Sequence, residues 1–238
     1  MRLDKLLANT GFGSRKDVKA LLKKKQVEVN GEVAKDGSMH VDPEQDTVVC
    51  DGKRVEYKEY IYLMLHKPAG YLSATEDARD ETVIDLLPEA LQRFKPFPVG
   101  RLDKDTEGLL ILTNDGELGH VLTSPRKDVP KKYFAIIKGN VGTEDIEAFQ
   151  KGIILNDGYA AKPAKLHILK SGDISEIEVI VTEGKFHQVK RMFEAVDKKV
   201  LYLKRLSMGE ISLDPELTKG STRELNEMEM AYCLSLKE

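Results

Sequence analysis

The chain has 238 residues, 41% of them hydrophobic and 32% charged, a composition that suits folded domains and gives room for two of them. No apolar run approaches the roughly 20 residues of a membrane span, and Met1-Arg2-Leu3-Asp4-Lys5 lacks the apolar core of a secretory signal, so no membrane role and a cytoplasmic location are expected. The 37 basic and 40 acidic residues nearly balance, yet residues 1–35 carry nine Lys/Arg against four Asp/Glu, a +5 end suited to a polyanion.

Leu3, Leu6 and Leu7 recur at helical spacing until Gly11-Phe12-Gly13 interrupts them. Ser14 with Asp17 three positions on resembles a capping box opening a second helix, with Val18, Leu21 and Leu22 as its buried stripe. Arg15, Lys19 and Lys23 repeat every four residues and form an exposed cationic ridge. Val27-Glu28-Val29 alternates like a half-buried strand, and Asn30-Gly31 and Asp51-Gly52 signal hairpins because both residues of each pair tolerate positive φ. Residues 1–58 therefore read as a small α-then-β module and 56–60 as its polar linker. A second domain, 59–238, opens with the apolar run Ile61-Tyr62-Leu63-Met64-Leu65 and stops at His66-Lys67-Pro68-Ala69-Gly70. Further strands are expected at 109–113, 133–138, 164–169 and 175–181, and helices near 117–122, 144–151 and 187–195. The fold class is α+β, with a mixed or largely antiparallel sheet in the second domain. Cys50 and Cys233 lack CxxC spacing or a nearby His/Cys cluster and read as packing thiols, with no metal site.

Three segments could carry chemistry. Residues 100–108, Gly-Arg-Leu-Asp-Lys-Asp-Thr-Glu-Gly, crowd charged and hydroxyl groups between glycines beside an apolar run that would support them rigidly. The alternative is a solvated turn in which Arg101, Asp103, Lys104 and Asp105 neutralise one another. In residues 183–193, a helix from His187 places Val189, Met192, Phe193 and Val196 on one face and His187, Lys190, Arg191 and Glu194 on the other. That face could hold RNA phosphates or steady a carboxylate, or be solvated. Lys131-Lys132-Tyr133-Phe134 puts an aromatic beside cations, as a nucleotide base beside its phosphate would require, although strand aromatics usually pack in cores. No GxxxxGK[ST], GxGxxG, HExxH or GxSxG pattern is present, so the common cofactor routes lack support.

Taken together, these segments resemble the pseudouridine synthases of the small-ribosomal-subunit (RsuA) family over practically the whole chain. Met1-Arg2-Leu3-Asp4-Lys5-Leu6-Leu7, Gly13-Ser14-Arg15 and Val27-Glu28-Val29-Asn30-Gly31 are similar to that family's N-terminal S4 RNA-binding domain. Leu65 to Tyr71, Gly100-Arg101-Leu102-Asp103 with Thr106-Glu107-Gly108-Leu109-Leu110, and 183–193 are similar to its catalytic motifs. The resemblance implies Asp103 as the catalytic aspartate, Tyr133 as the aromatic stacking on the target base, Lys190 as the cation pairing with the aspartate, and Leu203 packing beneath the site. It implies RNA contacts for Arg101, His187, Gln188 and Arg191, and for Arg2, Ser14, Arg15, Lys16, Lys19 and Lys23. His66 stands where this family more often has a neutral amide and is read as structural.

The implied reaction moves a uracil from N1 to C5 attachment on its ribose, so no atom enters or leaves and neither redox cofactor nor metal is required. It needs an ionised carboxylate in a water-poor pocket and a base withdrawn from its stack. The expected substrate is a uridine of 16S rRNA, within an assembling small-subunit particle, and the expected state a monomer. The alternatives are a non-catalytic S4-type ribosome assembly protein and the same chemistry on 23S rRNA.

Overall fold

Leucines at positions 3, 6 and 7 face inward from α1 (Leu3–Asn9), and after the turn at Gly11–Gly13 the chain enters α2 (Arg15–Lys23). These elements belong to a computed structural model that describes every residue except Glu56, Pro125 and Glu238. The Ser14–Asp17 capping box forms, and Val18 and Leu22 are buried as the spacing predicts. Strands β1 (Val27–Val29), β2 (Glu32–Val33), β3 (Val48–Cys50) and β4 (Lys53–Arg54) follow in the sheet order β2-β1-β3-β4. Both predicted hairpins are present, with positive φ at Asn30, Gly31, Asp51 and Gly52. The leucines, Val18, Val27, Val29 and Cys50 form one apolar cluster.

This first unit spans residues 1–61 and also takes in 88–95, which sequence reading gave to the second domain. That segment carries the short helix α3 (Glu89–Gln92), and Arg93 Nη1 donates to the Gly11 carbonyl at 2.7 Å. The expected linker begins at Glu56, which lies outside the described residues.

The second unit, residues 62–87 with 96–238, is built on β5 (Tyr62–Lys67), β6 (Phe97–Val99), β7 (Glu107–Thr113), α4 (Gly116–Thr123), β8 (Lys131–Lys138), α5 (Thr143–Lys151), β9 (Lys165–Lys170), β10 (Ile174–Val181), α6 (Gln188–Glu194), β11 (Lys199–Met208), β12 (Ile211–Ser212), β13 (Thr222–Glu224) and α7 (Glu227–Ser235). Among the described residues its sheet has nine strands, ordered β13-β5-β7-β11-β8-β10-β9, with β12 beside β11 and β6 beside β7. Neighbours are antiparallel except β7 and β11, which run parallel, so the α+β class holds and the sheet is mixed. Apolar clusters cover both sides: α5 and α6 pack over β8 and β10, and α4 and α7 over β5 and β7. Cys50 and Cys233 are buried free thiols. No helix of the described residues is long and apolar enough to cross a membrane.

Two corrections concern the centre of the sheet. Strands β7 and β8 each start two residues before the expected positions, so Glu107 and Gly108 belong to a strand and not to the preceding loop. The ten-residue β11, central in the sheet, was not expected at all, because one of its buried positions is the charged Arg205 and two register shifts blur the period of two.

Candidate active site

The segment 100–106 joins β6 to β7, and its backbone is held by a lysine. Lys67, at the end of β5, is fully buried and its ammonium donates to the carbonyls of Pro68, Asp103, Lys104 and Thr106 at 2.8–3.3 Å. The Asp103 carbonyl also accepts from Thr106 N–H, Gly70 N–H donates to the Lys104 carbonyl, and Ser73 Oγ bonds both backbone groups of Leu102. A loop of charged residues is thereby fixed at Leu102, Asp103, Lys104 and Thr106, and a catalytic group requires such support for orientation. Burial, opposed by the charges of Asp105, Asp103 and Glu107, lowers the Lys67 pKa to about 8. Gly108 closes the segment at φ +107°, and a Cβ there would lie 2.2 Å from the carbonyl oxygen of Arg205, so the β7–β11 pairing admits only glycine at this point.

The Asp103 carboxylate faces the start of α6. Lys190 Nζ lies 3.2 Å from its Oδ2 and 2.6 Å from Asp105 Oδ1. Burial alone would favour the neutral amine of Lys190, but its bonds to Asp105 and Asp103 outweigh this and raise its pKa, so the cation persists. His187 Nε2 stands 3.6 Å from Asp103 Oδ1. It holds a left-handed conformation, φ 50° and ψ 31°, which costs a non-glycine residue about 1–2 kcal/mol, and its ring stacks on the exposed Phe186 at 3.8 Å. The charges of this loop do not neutralise one another as a solvated turn would: Asp103 and Asp105 turn to Lys190, and Lys104 to Asp80 at 2.6 Å.

Beside the carboxylate opens a cavity of about 460 Å³ whose walls include Arg101, Asp103, Tyr133, His187, Leu203 and Arg205. The structure thus brings Asp103, Lys190, Tyr133 and Leu203, drawn from four separate segments, to one place. The lining also includes the buried Glu183, which accepts from Tyr159 Oη at 2.6 Å, Lys162 N–H at 2.9 Å and Gln188 Nε2 at 2.5 Å.

Two of the expected RNA contacts have side-chain polar atoms engaged within the fold. Gln188 is buried, with its oxygen bonded to Lys185 N–H and its amide to Glu183, so its polar atoms serve the fold. The Ser14 hydroxyl is taken up by the cap of α2. Arg191 pairs with Asp157 at 2.5 Å, and Arg2 with Asp4 at 2.7 Å. Arg15, Lys16, Lys19 and Lys23 all stand exposed on α2, in the first unit. His66 does not line the cavity; it is buried, and its Nδ1 lies 2.7 Å from the Leu217 carbonyl.

The sequence reading gave no site role of their own to Lys67, Asp105, Lys131, Glu183 or Arg205, although Asp105 and Lys131 stand in segments it singled out. Lys67 and Glu183 stood inside motifs already singled out, but a lysine or glutamate carries no sequence signal of burial.

An RNA pseudouridylate synthase family model matches residues 61–195, and an S4 domain model matches residues 1–48. The chain is 55% identical over 97% of its length, and 97% of the other, to an uncharacterized RNA pseudouridine synthase of Bacillus subtilis (strain 168). It is 38% identical to a ribosomal small subunit pseudouridine synthase A of Yersinia pestis, covering 97% of each chain. It is also 38% identical to a ribosomal large subunit pseudouridine synthase B of Bacillus subtilis (strain 168), covering 100% of this chain and 97% of that one. A crystal structure of a pseudouridylate synthase superposes with a TM-score of 0.69 at 33% identity, over 98% of this chain and 99% of the other. With the match to the catalytic family model extending over more than half its length, this chain belongs to the RNA pseudouridylate synthase family and carries an S4 domain at its N-terminus.

Proposed function

We propose that the protein isomerises a uridine of small-subunit (16S) rRNA to pseudouridine, with Asp103 as the essential carboxylate and no cofactor. The observation that carries the reading is the Asp103 carboxylate on the wall of the cavity, 3.2 Å from the Lys190 ammonium. In this reading Tyr133 stacks on the withdrawn base, Leu203 packs beneath it, and Arg101 and His187 meet the RNA at the rim. Lys190 keeps a negative charge tolerable in a site that must exclude water. Relatives named for the small subunit, at 36–39% identity in Yersinia pestis, Vibrio parahaemolyticus and Escherichia coli, support the choice of 16S rRNA. The equally similar relative named for the large subunit favours 23S rRNA as the second reading.

The test is to incubate the purified protein with unmodified 16S and 23S rRNA and map each pseudouridine formed. We expect one position in 16S rRNA. Asp103→Asn, nearly the same size, is expected to lower the rate by about 10⁴-fold or more with RNA affinity retained. Modification by the variant at the wild-type rate would overturn the role of Asp103, and product in 23S rRNA alone would select the second reading.

A further inference from the structure

Arg205 and Lys131 line the same cavity as Asp103, on neighbouring strands β11 and β8. Arg205 is 2% exposed and Lys131 7%. Arg205 Nε donates to the Leu109 carbonyl at 2.8 Å, while its Nη2 is buried with no acceptor. Among the described residues neither side chain forms an ion pair, whereas Lys162, also in the lining, is paired with Asp128 at 2.5 Å. Burial first, and Arg205 second, lower the pKa of Lys131. A buried donor left without an acceptor is costly, and buried cations are ordinarily paired. The cavity therefore offers donors to a guest that supplies acceptors.

The reaction supplies such acceptors. The N1–C1′ bond breaks, the base re-attaches through C5, C5 releases its proton and N1 gains one, so composition is conserved. When the N1–C1′ electron pair leaves with the base, negative charge spreads onto the carbonyl oxygens O2 and O4. If a nucleophile adds to the ring at C6 instead, charge again reaches a carbonyl oxygen. On either route the oxygens become better acceptors as the reaction proceeds, which is the condition under which fixed donors lower a barrier.

Resting on the reading of this cavity as the catalytic one, we infer that Arg205 and Lys131 are catalytic residues that hold the carbonyl oxygens of the displaced uracil and stabilise the charge developing on them. Their depth favours the base over a phosphate, since the base goes furthest into such a pocket while its phosphates stay with the backbone. A donor-only pair also selects uracil over cytosine, whose 4-position carries an amino donor.

The test pairs protein variants with single-atom changes in RNA. Transcripts of small- and large-subunit rRNA are made with uridine, 2-thiouridine, 4-thiouridine or a phosphorothioate 5′ to each uridine, tritiated at C5, and tritium release is followed in a single turnover. Arg205→Met and Lys131→Met are expected to slow the oxygen RNA by about 10²-fold, and much less on whichever thio-base RNA has lost the recognised oxygen. Arg205→Lys should recover part of the rate and, with Lys131→Met, carries the test if Arg205→Met fails to fold. Equal losses on oxygen and both thio-base RNAs, or coupling to the phosphorothioate alone, would overturn the inference. A wild type active only on the large-subunit transcript would sink the 16S reading and leave this test intact.

Discussion

In the first unit Arg15, Lys16, Lys19 and Lys23 stand in solvent, whereas the second unit buries Lys67, Lys131, Glu183 and Arg205, and Lys67 and Glu183 spend most of their hydrogen-bonding capacity internally. Exposed cations are screened, replaceable and weakly coupled to one another. Buried ones are costly unless their neighbours are placed to receive them, so they fix geometry around themselves. The contrast separates two tasks, attraction of a polyanion by summed surface charge and orientation of a reacting group by a few enclosed ones. It also predicts that substitutions in the two regions change different observables.

The largest effect in this comparison is expected at Lys190, which faces Asp103 and Asp105 together. Lys190→Met leaves two carboxylates near each other without their cation, and the single-turnover rate should fall by about 10²-fold, with little change in RNA affinity. A loss confined to affinity would assign Lys190 to binding and erase the division of tasks.

Next comes Lys67, whose effect passes through the fold. Lys67→Met strands four carbonyls and is expected to cost about 3 kcal/mol, measured by urea unfolding at pH 7. The pH dependence has a definite sign. The folded chain holds this proton with a pKa of about 8, below the 10.5 of an unburied lysine. Between those values the unfolded chain binds more protons, so the contribution of Lys67 to stability rises with pH across that window and is flat below it. Subtracting the variant's stability curve from the wild type's should leave that rise; a flat difference from pH 8 to 10 would mean that the ammonium is not enclosed.

The N-terminal helices, their capping box and both hairpins could be read from the sequence because each depends on contacts a few residues apart: Ser14 with Asp17, Asn30 with Gly31, Asp51 with Gly52. The gathering of Asp103, Tyr133, Lys190 and Leu203 was expected only through family resemblance, since four distant segments meet there and no local pattern encodes such a meeting. What stayed illegible is tertiary in origin. Neither Lys67 nor Arg205 carries a local signal of its burial among β5, β7 and β11, and β11 itself was hidden by its polar residues and register shifts. Gln188 differs in the other direction: expected at the RNA through the resemblance, it is buried and braces Glu183.

The smallest effect on chemistry is expected from the exposed ridge, and it is the sharpest check on the contrast. Replacing Arg15, Lys19 and Lys23 together with alanine removes three cations from one face of α2, none of which has an ion-pair partner among the described residues. The capping box and the buried Val18 and Leu22 are untouched, so the helix should persist. If each cation displaces one counterion from RNA, the slope of log affinity against log salt should flatten by about 2–3, at roughly 0.7–0.9 per phosphate contact. The single-turnover rate at saturating protein should stay at the wild-type value, because none of these residues lines the cavity. An unchanged slope would remove the ridge from the RNA interface. A reduced saturating rate would show that surface charge reaches the chemical step, and the two regions would then have to be treated as one device.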